Sequence, residues 1–168
     1  AQKEELKSKE FNLKNLILGV MNTTRIKAES KRLSIEYEEL LPIPKFVKGD
    51  ERKLRQVLIN LMDNAIKYMD KDRGVVRVGY AELEDHWQFY VTDNGPGIEE
   101  RYFGRIFKIF QTLTPKDEFE STGVGLTLVK KIVEFYGGRI WLESEVGKGS
   151  TFFFTVPKLR NNRVVLQY

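Results

Sequence analysis

The sequence predicts one α/β domain, a two-layer sandwich in which about three helices pack on a mixed, largely antiparallel sheet of about five strands. Three observations predict it. Some segments carry apolar residues at helical spacing, others alternate apolar with polar residues, and glycine or proline separates the two kinds. A chain of 168 residues is long enough to bury one core, and no internal repeat divides it.

Three segments have the helical pattern. Residues 13–28 place apolar side chains three and four positions apart. Residues 51–69 form the most regular pattern, and Asp50, just before them, is a typical N-cap. Residues 125–136 form the third predicted helix, which a pair of glycines ends.

The strand pattern occurs in six shorter segments, where apolar and polar residues alternate between turn residues. The predicted strands are residues 33–37, 46–47, 75–81, 87–92, 139–144 and 150–156. The last four form two hairpins, because only short polar or glycine-rich connections separate their members. We therefore expect residues 11–157 to form the domain, residues 1–10 to be the remnant of a preceding helix or linker, and residues 158–168 to be a tail.

Composition excludes several classes of protein. Hydrophobic residues make up 41% of the chain and charged residues 31%, which excludes a disordered tail. No apolar stretch is long enough for a transmembrane helix, so we expect no direct membrane contact. The chain has no cysteine, which removes disulfides and thiolate metal sites. The net charge of +4 comes from interspersed charges without a basic patch, so we expect no nucleic-acid partner.

The second helix carries polar residues that suit a metal-bound phosphate. Asn60, Asn64 and Lys67 lie along one edge of it, beside the apolar face. Mg²⁺ prefers oxygen ligands and is usually completed by substrate phosphates, whose charge a lysine can neutralise. A solvated helix face is the simpler interpretation of Lys67 alone. It does not explain two asparagines, because asparagine is a poor helix former.

The segment Asp93-Asn94-Gly95-Pro96-Gly97-Ile98 follows a predicted strand and bends sharply. Gly95 and Gly97 permit positive φ and let a ligand approach the backbone closely. The Asp93 carboxylate is a natural acceptor for the exocyclic amine of adenine. Taken alone, the segment is more typical of an ordinary β-turn.

Gly123-Val124-Gly125 directly precedes the third helix. Glycines at that place expose backbone N–H groups and the positive end of the helix dipole, which together form a seat for phosphate. The loop that they close is long, and such loops in compact domains are usually functional lids or disordered. A short aromatic helix predicted at residues 102–110 favours a packed lid. With the second helix and the turn, this predicts a nucleotide site.

The ordered motifs closely resemble the catalytic, ATP-binding domain of sensor histidine kinases, within the wider GHKL group of ATPases. Residues 56–68 resemble the N box of that family, residues 93–98 the G1 box, residues 106–110 the F box and residues 121–126 the G2 box. Residues 147–152 are similar to its final glycine-rich hairpin. The resemblance covers nearly the whole chain and implies the GHKL-type fold with a flexible ATP lid.

This resemblance also implies roles for individual residues. Asn64 would bind Mg²⁺, and Asn60 and Lys67 would act with it on the phosphates. Asp93 would hydrogen-bond adenine, and Thr151 would join it beneath the ring. The implied ATP-binding set is Asn60, Asn64, Lys67, Tyr68, Asp93, Gly95, Gly97, Ile98, Ile106, Lys116, Thr122, Gly123, Val124, Gly125, Leu126 and Thr151.

The function implied by the resemblance is the catalytic half of a two-component kinase. With ATP and Mg²⁺ as cofactors, the domain would transfer the γ-phosphoryl group to a histidine on separate dimerisation and phosphoacceptor helices, and so serve a response regulator indirectly. The single histidine of this chain, His86, lacks the sequence context of the family's acceptor. We expect a cytoplasmic domain that is a monomer in isolation, even if its parent protein is membrane-anchored.

Two other functions stay open. GHKL ATPases of the chaperone, topoisomerase or mismatch-repair kind typically carry a glutamate where this chain has Asn60, and a neutral amide is a poor general base for water. A nucleotide-dependent binding module without transfer activity also fits. The sequence does not decide which basic lid residue, Lys116 or Lys108, meets the γ-phosphate.

Overall fold

The computed structural model describes residues 9–39, 46–108 and 125–158 of the chain. Within these ranges the predicted fold class is confirmed, with three helices on a mixed sheet of five strands. The helices are α1 (Leu13–Ser30), α2 (Glu51–Tyr68) and α3 (Gly125–Phe135). The strands are β1 (Lys9–Phe11), β2 (Ser34–Glu39), β3 (Val47–Gly49), β4 (Val75–Glu82), β5 (His86–Asp93), β6 (Ile140–Glu145) and β7 (Gly149–Pro157).

The large sheet has the strand order β2-β4-β5-β7-β6. β2 runs parallel to β4, and the other three pairs are antiparallel. Parallel neighbours need a long crossover, which here includes α2, whereas β4–β5 and β6–β7 are joined as hairpins. The mixed sheet therefore follows from the position of α2 in the chain.

One face of this sheet and the three helices enclose the core. Phe89 of β5 and Phe154 of β7 are buried there, and their rings stack with centroids 5.0 Å apart. α2 is the middle helix, in contact with both α1 and α3. Its buried side chains are Val57, Leu58, Leu61, Met62, Ala65 and Ile66. Their spacing leaves the polar residues of α2 half-buried along its edge.

The other face of the sheet carries a row of half-buried aromatic residues. The Trp141 ring stacks on Phe153 with centroids 5.3 Å apart, and Tyr90 lies on the other side of Phe153 at 6.3 Å. Thr92 and Thr151 share this face, since their hydroxyl oxygens lie 2.7 Å apart. Side chains of β5 and β7 thus alternate between the core face and this aromatic face.

Two segments differ from the sequence-based expectation. Lys9 and Glu10, at the end of the predicted remnant of a helix or linker, form β1 together with Phe11, and β1 pairs antiparallel with β3. β1 and β3 are far apart in the sequence, so no local sequence pattern predicts that they pair. The helix predicted at residues 102–110 is not formed in its described part, where a 3₁₀ turn at Glu100–Tyr102 is followed by turns. Gly104 and the shortness of the segment disfavour an α-helix.

No helix within the described ranges is long and apolar enough to cross a bilayer.

The end of α1 is fixed by a Schellman motif. The Leu33 N–H donates to the Ala28 carbonyl at 2.9 Å, and the Arg32 N–H donates to the Glu29 carbonyl at 3.0 Å. Arg32 itself has a φ of 57°, in the left-handed region that favours glycine. Arginine bears a conformational cost of about 1 kcal/mol in this position. The motif also fixes the backbone position of the preceding residue, Lys31, which is the C-cap of α1.

We therefore expect Arg32→Gly to raise the free energy of unfolding by roughly 0.5–1 kcal/mol, because glycine adopts the left-handed conformation without that cost. Urea denaturation measures the change. The matched control is Arg25→Gly, the same substitution at an exposed position inside α1, which should lower stability by about 1 kcal/mol. Destabilisation by both variants would contradict the account of the α1 terminus.

Candidate nucleotide-binding site

The edge of α2 brings four predicted residues together. Asn60 and Asn64 lie one helical turn apart, and Lys67 and Tyr68 follow in the last turn of the helix. All four side chains are half-buried beside the core. The Lys67 ammonium lies 5.5 Å from the centre of the Tyr68 ring, and burial lowers the pKa of Lys67. The predicted row of two amides and an ammonium is therefore formed on one helix.

Asp50 anchors the start of α2, as the sequence predicts. One carboxylate oxygen accepts a hydrogen bond from the Lys53 N–H at 3.2 Å, which makes Asp50 the N-cap. The other oxygen accepts from the Tyr136 hydroxyl at 3.0 Å, just beyond the end of α3. The N-cap residue thus also links the start of α2 to the residue that follows α3.

Asp93 lies at the end of β5, where the chain turns. Its Oδ1 accepts a hydrogen bond from the Gly95 N–H at 2.9 Å. Burial raises the pKa of Asp93, and backbone hydrogen bonds from Gly95 and Ser150 partly offset that rise. A largely desolvated carboxylate with part of its acceptor capacity unused is well suited to bind a ligand N–H group.

Glycine is required at positions 95 and 97 for different structural reasons. A Cβ on Gly95 would lie 2.9 Å from Asp93 Oδ1 and 3.7 Å from the Met69 sulfur, so a side chain there would crowd the carboxylate. Gly97 has a φ of 74°, and its Cβ would lie 2.2 Å from the Glu145 carbonyl oxygen. Gly97 is therefore required by the packing of the turn against the β6–β7 hairpin.

Hydrogen bonds of Ser144 connect the turn to the β6–β7 hairpin. Ser144 Oγ accepts a hydrogen bond from the Ile98 N–H at 2.7 Å, and it lies 2.8 Å from Ser150 Oγ and 2.9 Å from the Gly149 carbonyl oxygen. The strand register pairs Asp93 with Ser150 directly. Sequence reasoning missed Ser144 and Ser150. The strand alternation around them is the signal that could have identified them.

Thr151 and Asp93 are on opposite faces of the sheet. It pairs with Thr92, and the two hydroxyls meet on the aromatic face of the sheet. Asp93 lies on the core face, since it is two residues beyond the buried Val91. Ser150, which is buried, is the hydroxyl residue on the same face as Asp93. Thr151 is thus on the face of the sheet opposite to Asp93, one strand position from Ser150, and its predicted role beneath the ring stays a prediction.

The apolar side of the site is packed. Ile106 is buried, and Ile98 and Leu126 are half-buried against the core. The Thr127 hydroxyl donates to the Phe107 carbonyl at 2.8 Å, which ties α3 to the segment that follows the turn. This agrees with the prediction of apolar residues that pack rather than form a linker.

Four predicted residues, Lys116, Thr122, Gly123 and Val124, lie outside the described residues. Gly125 is the first residue of α3, and an added Cβ there would meet none of the described atoms within 4 Å. Among the described residues, no three carboxylate or histidine side chains come together as a metal site.

His86 is far from this site. It begins the eight-residue strand that Asp93 ends, so the two residues lie about 23 Å apart. Its Nδ1 lies 2.5 Å from Asp85 Oδ1 at the β4–β5 hairpin.

The fold is that of the GHKL class of ATP-binding domains. Residues 49–160 match the family described as "Histidine kinase-, DNA gyrase B-, and HSP90-like ATPase". The chain belongs to this family. Its similarity to solved structures is to histidine kinases within it.

Among solved structures, full-length ShkA in complex with AMPPNP aligns with a TM-score of 0.85 and 27% identity, over 96% of this chain and 33% of that one. The catalytic domain of histidine kinase ThkA aligns with a TM-score of 0.76 and 30% identity, over 90% of this chain and 98% of that one.

Curated relatives are longer. Cyanobacterial phytochrome A of Nostoc sp. is 46% identical over 116 residues, which are 69% of this chain and 15% of that protein. The adaptive-response sensory kinase SasA of Prochlorococcus marinus (strain MIT 9313) is 40% identical over 163 residues, which are 90% of this chain and 42% of that protein. The chain thus spans less than half the length of these relatives.

The close approach of the hairpin to Asp93 gives a graded prediction. Gly149 has a φ of 121°, and its Cβ would lie 1.9 Å from the Asp93 carbonyl oxygen, so Gly149→Ala should lower the free energy of unfolding by about 3 kcal/mol. Gly147→Ala, at a φ of 83° with open space, should cost about 1 kcal/mol. Gly104→Ala, with neither constraint, should change stability by less than about 0.5 kcal/mol. Equal losses in urea denaturation would contradict the close approach.

Proposed function

We propose that this domain binds Mg-ATP and transfers the γ-phosphoryl group to a histidine on separate dimerisation and phosphoacceptor helices. The observation that carries the proposal is the desolvated Asp93 carboxylate, held beside Ser150 at the end of β5. A largely desolvated carboxylate is costly to keep ionised, and a hydrogen bond from a ligand would offset that cost. The family and the kinases that resemble the chain support ATP as that ligand.

At the purine end, Asp93 accepts a hydrogen bond from the exocyclic amine of adenine. We assign the supporting hydroxyl to Ser150 rather than Thr151, because Ser150 shares the core face with Asp93. Gly95 keeps the space above the carboxylate open for a flat ring. Ile98 and Ile106 form apolar walls, and Tyr68 flanks the purine.

At the phosphate end, the amide oxygen of Asn64 holds Mg²⁺ together with the phosphates, and Asn60 supports that position. Mg²⁺ supplies charge neutralisation between the phosphates when it is bound. Lys67 contributes a compact positive charge. The backbone at Gly125 and Leu126 offers N–H groups at the start of α3. The predicted contributions of Thr122, Gly123, Val124 and Lys116 stay predictions.

Transfer is favoured over hydrolysis by the chemistry of Asn60. Phosphoryl transfer requires positioning and charge stabilisation more than covalent help from the protein. Hydrolysis also requires a group that activates water, and a neutral amide at Asn60 does this poorly. The proposed acceptor is an imidazole on another segment, since His86 lies about 23 Å from Asp93 along β5.

The proposed setting is a cytoplasmic two-component system, in which the phosphohistidine passes its group to a response regulator. ThkA, which resembles this chain with a TM-score of 0.77 and 29% identity, has been solved in complex with the response regulator protein TrrA. We extend that type of partner to the parent of this domain. We propose that the isolated domain is a monomer.

Transfer is tested by mixing the domain with Mg²⁺, ATP labelled on the γ-phosphate and a separately made phosphoacceptor helix pair from a relative. We expect acid-labile label on the helices. Asp93→Asn should abolish most of this labelling and weaken Mg-ATP binding at least tenfold by calorimetry, because the amide no longer offers a charged acceptor to adenine. Steady phosphate release without labelled helices would identify an ATPase, and binding with neither product a binding module.

Stability of the Asp93 variant is the control. Burial raises the pKa of Asp93 above its unfolded value, so the ionised carboxylate costs stability at neutral pH. Asparagine keeps an oxygen acceptor for the Gly95 N–H, so stability at pH 7 should stay equal or rise. A variant that folds normally and binds Mg-ATP as tightly as wild type would remove Asp93 from the adenine site.

The register of β7 leads to a second prediction, which compares substitutions at two neighbouring residues. Ser150→Ala should weaken Mg-ATP binding about fivefold, because the variant loses the buried hydroxyl beside Asp93. Thr151→Val, which keeps the shape of the side chain on the aromatic face, should change affinity less than about twofold. Calorimetry measures both. The opposite order would restore the assignment of Thr151 to the site.

A further inference from the structure

Lys31 links two helices at the phosphate end of the site. It follows α1 directly, and its ammonium donates hydrogen bonds to two carbonyl oxygens of α2, at 2.9 Å to Ile66 and at 2.8 Å to Lys67. Lys27, one turn earlier on α1, pairs with Asp63 of α2 at 3.1 Å. The end of α1 thus holds the last turn of α2 through two ammonium groups.

The carbonyls that Lys31 contacts are at the negative end of α2. The last four carbonyls of a helix have no partner within the helix, and together they carry the negative end of its dipole. The Met69 N–H reaches the Ile66 carbonyl at 3.4 Å, which is long for a hydrogen bond. A cation that donates to two of these carbonyls therefore provides the better contact.

This end of α2 is a difficult place for a polyphosphate. Asn64 and Lys67 lie in the last turns of the helix, so phosphates bound there would face its negative end. Lys67 is one compensating cation, and its backbone carbonyl is itself bound by Lys31. The Schellman motif fixes the backbone at the end of α1, and two hydrogen bonds to carbonyls of α2 hold the Lys31 ammonium against that helix.

We infer that Lys31 is a positioning residue of the nucleotide site, an inference that rests on the proposed binding of Mg-ATP. Its ammonium fixes the last turn of α2, from which Lys67 projects, and offsets the negative helix end near the phosphates. Burial lowers the pKa of Lys31, which agrees with an ammonium partly withdrawn from water. Lys31 acts on the phosphate part of the ligand and does not contact the purine.

The test compares Mg-ATP with adenosine, which lacks phosphates. Lys31→Met, which keeps the length of the side chain without its charge, should weaken Mg-ATP binding about tenfold by calorimetry. Adenosine binding, followed by NMR titration, should change less than about twofold, because no phosphate meets the helix end. Lys31→Arg should retain Mg-ATP affinity, since a guanidinium can also donate to two carbonyls.

A charge-matched control is available on the same helix. Lys14→Met removes an exposed ion pair with Glu39, whose atoms lie 3.5 Å apart near the start of α1. This position is about 25 Å along the helix from Lys31, so Mg-ATP affinity should stay unchanged. The comparison separates a specific effect of Lys31 from a change in net charge.

Three outcomes would overturn the inference. Unchanged Mg-ATP binding by Lys31→Met, with wild type binding normally, would overturn it while the proposed function stands. Equal losses for Mg-ATP and adenosine would show that Lys31 only stabilises the fold. Absence of Mg-ATP binding by the wild-type domain would overturn the proposed function and this inference with it.

Discussion

The pairing of β5 with β7 is the constraint on which the rest of the structure depends. It aligns Phe89 with Phe154 in the core and, with the same register, Asp93 with Ser150 at the end of the sheet. The two strands approach so closely there that only glycine fits at position 149. Because side chains alternate between faces, a slip by one residue would move Asp93 to the aromatic face. The register that forms the core therefore also places the Asp93 carboxylate on the core face.

α2 is subject to a second constraint, because one helix must fill the core and carry polar residues at its edge. Its apolar face packs against α1, α3 and the sheet, which leaves Asn60 and Asn64 half-buried. The orientation that satisfies the core also directs the negative end of the helix toward the proposed phosphates. Lys31, which directly follows α1, contacts this negative end. The compensating positive charge therefore comes from outside α2.

The hairpin formed by β6 and β7 has a comparable role at the purine end. Ser144 joins three backbone and side-chain groups, and Gly97 lets the turn lie against the Glu145 backbone. The turn that follows Asp93 is thus stabilised from outside itself.

The sequence by itself determined the three helices, the two hairpins, the cap at Asp50 and the row of polar residues on α2, because each depends on local periodicity or on a single residue's chemistry. It also determined the family, through motifs in a fixed order. Only the tertiary structure decided the pairing of β1 with β3 and the contact of Lys31 with α2. It also decided that Ser150, rather than Thr151, is on the same face of the sheet as Asp93. Each of these depends on which distant residues meet, and strand register and helix packing are set by the whole core rather than by neighbours in sequence.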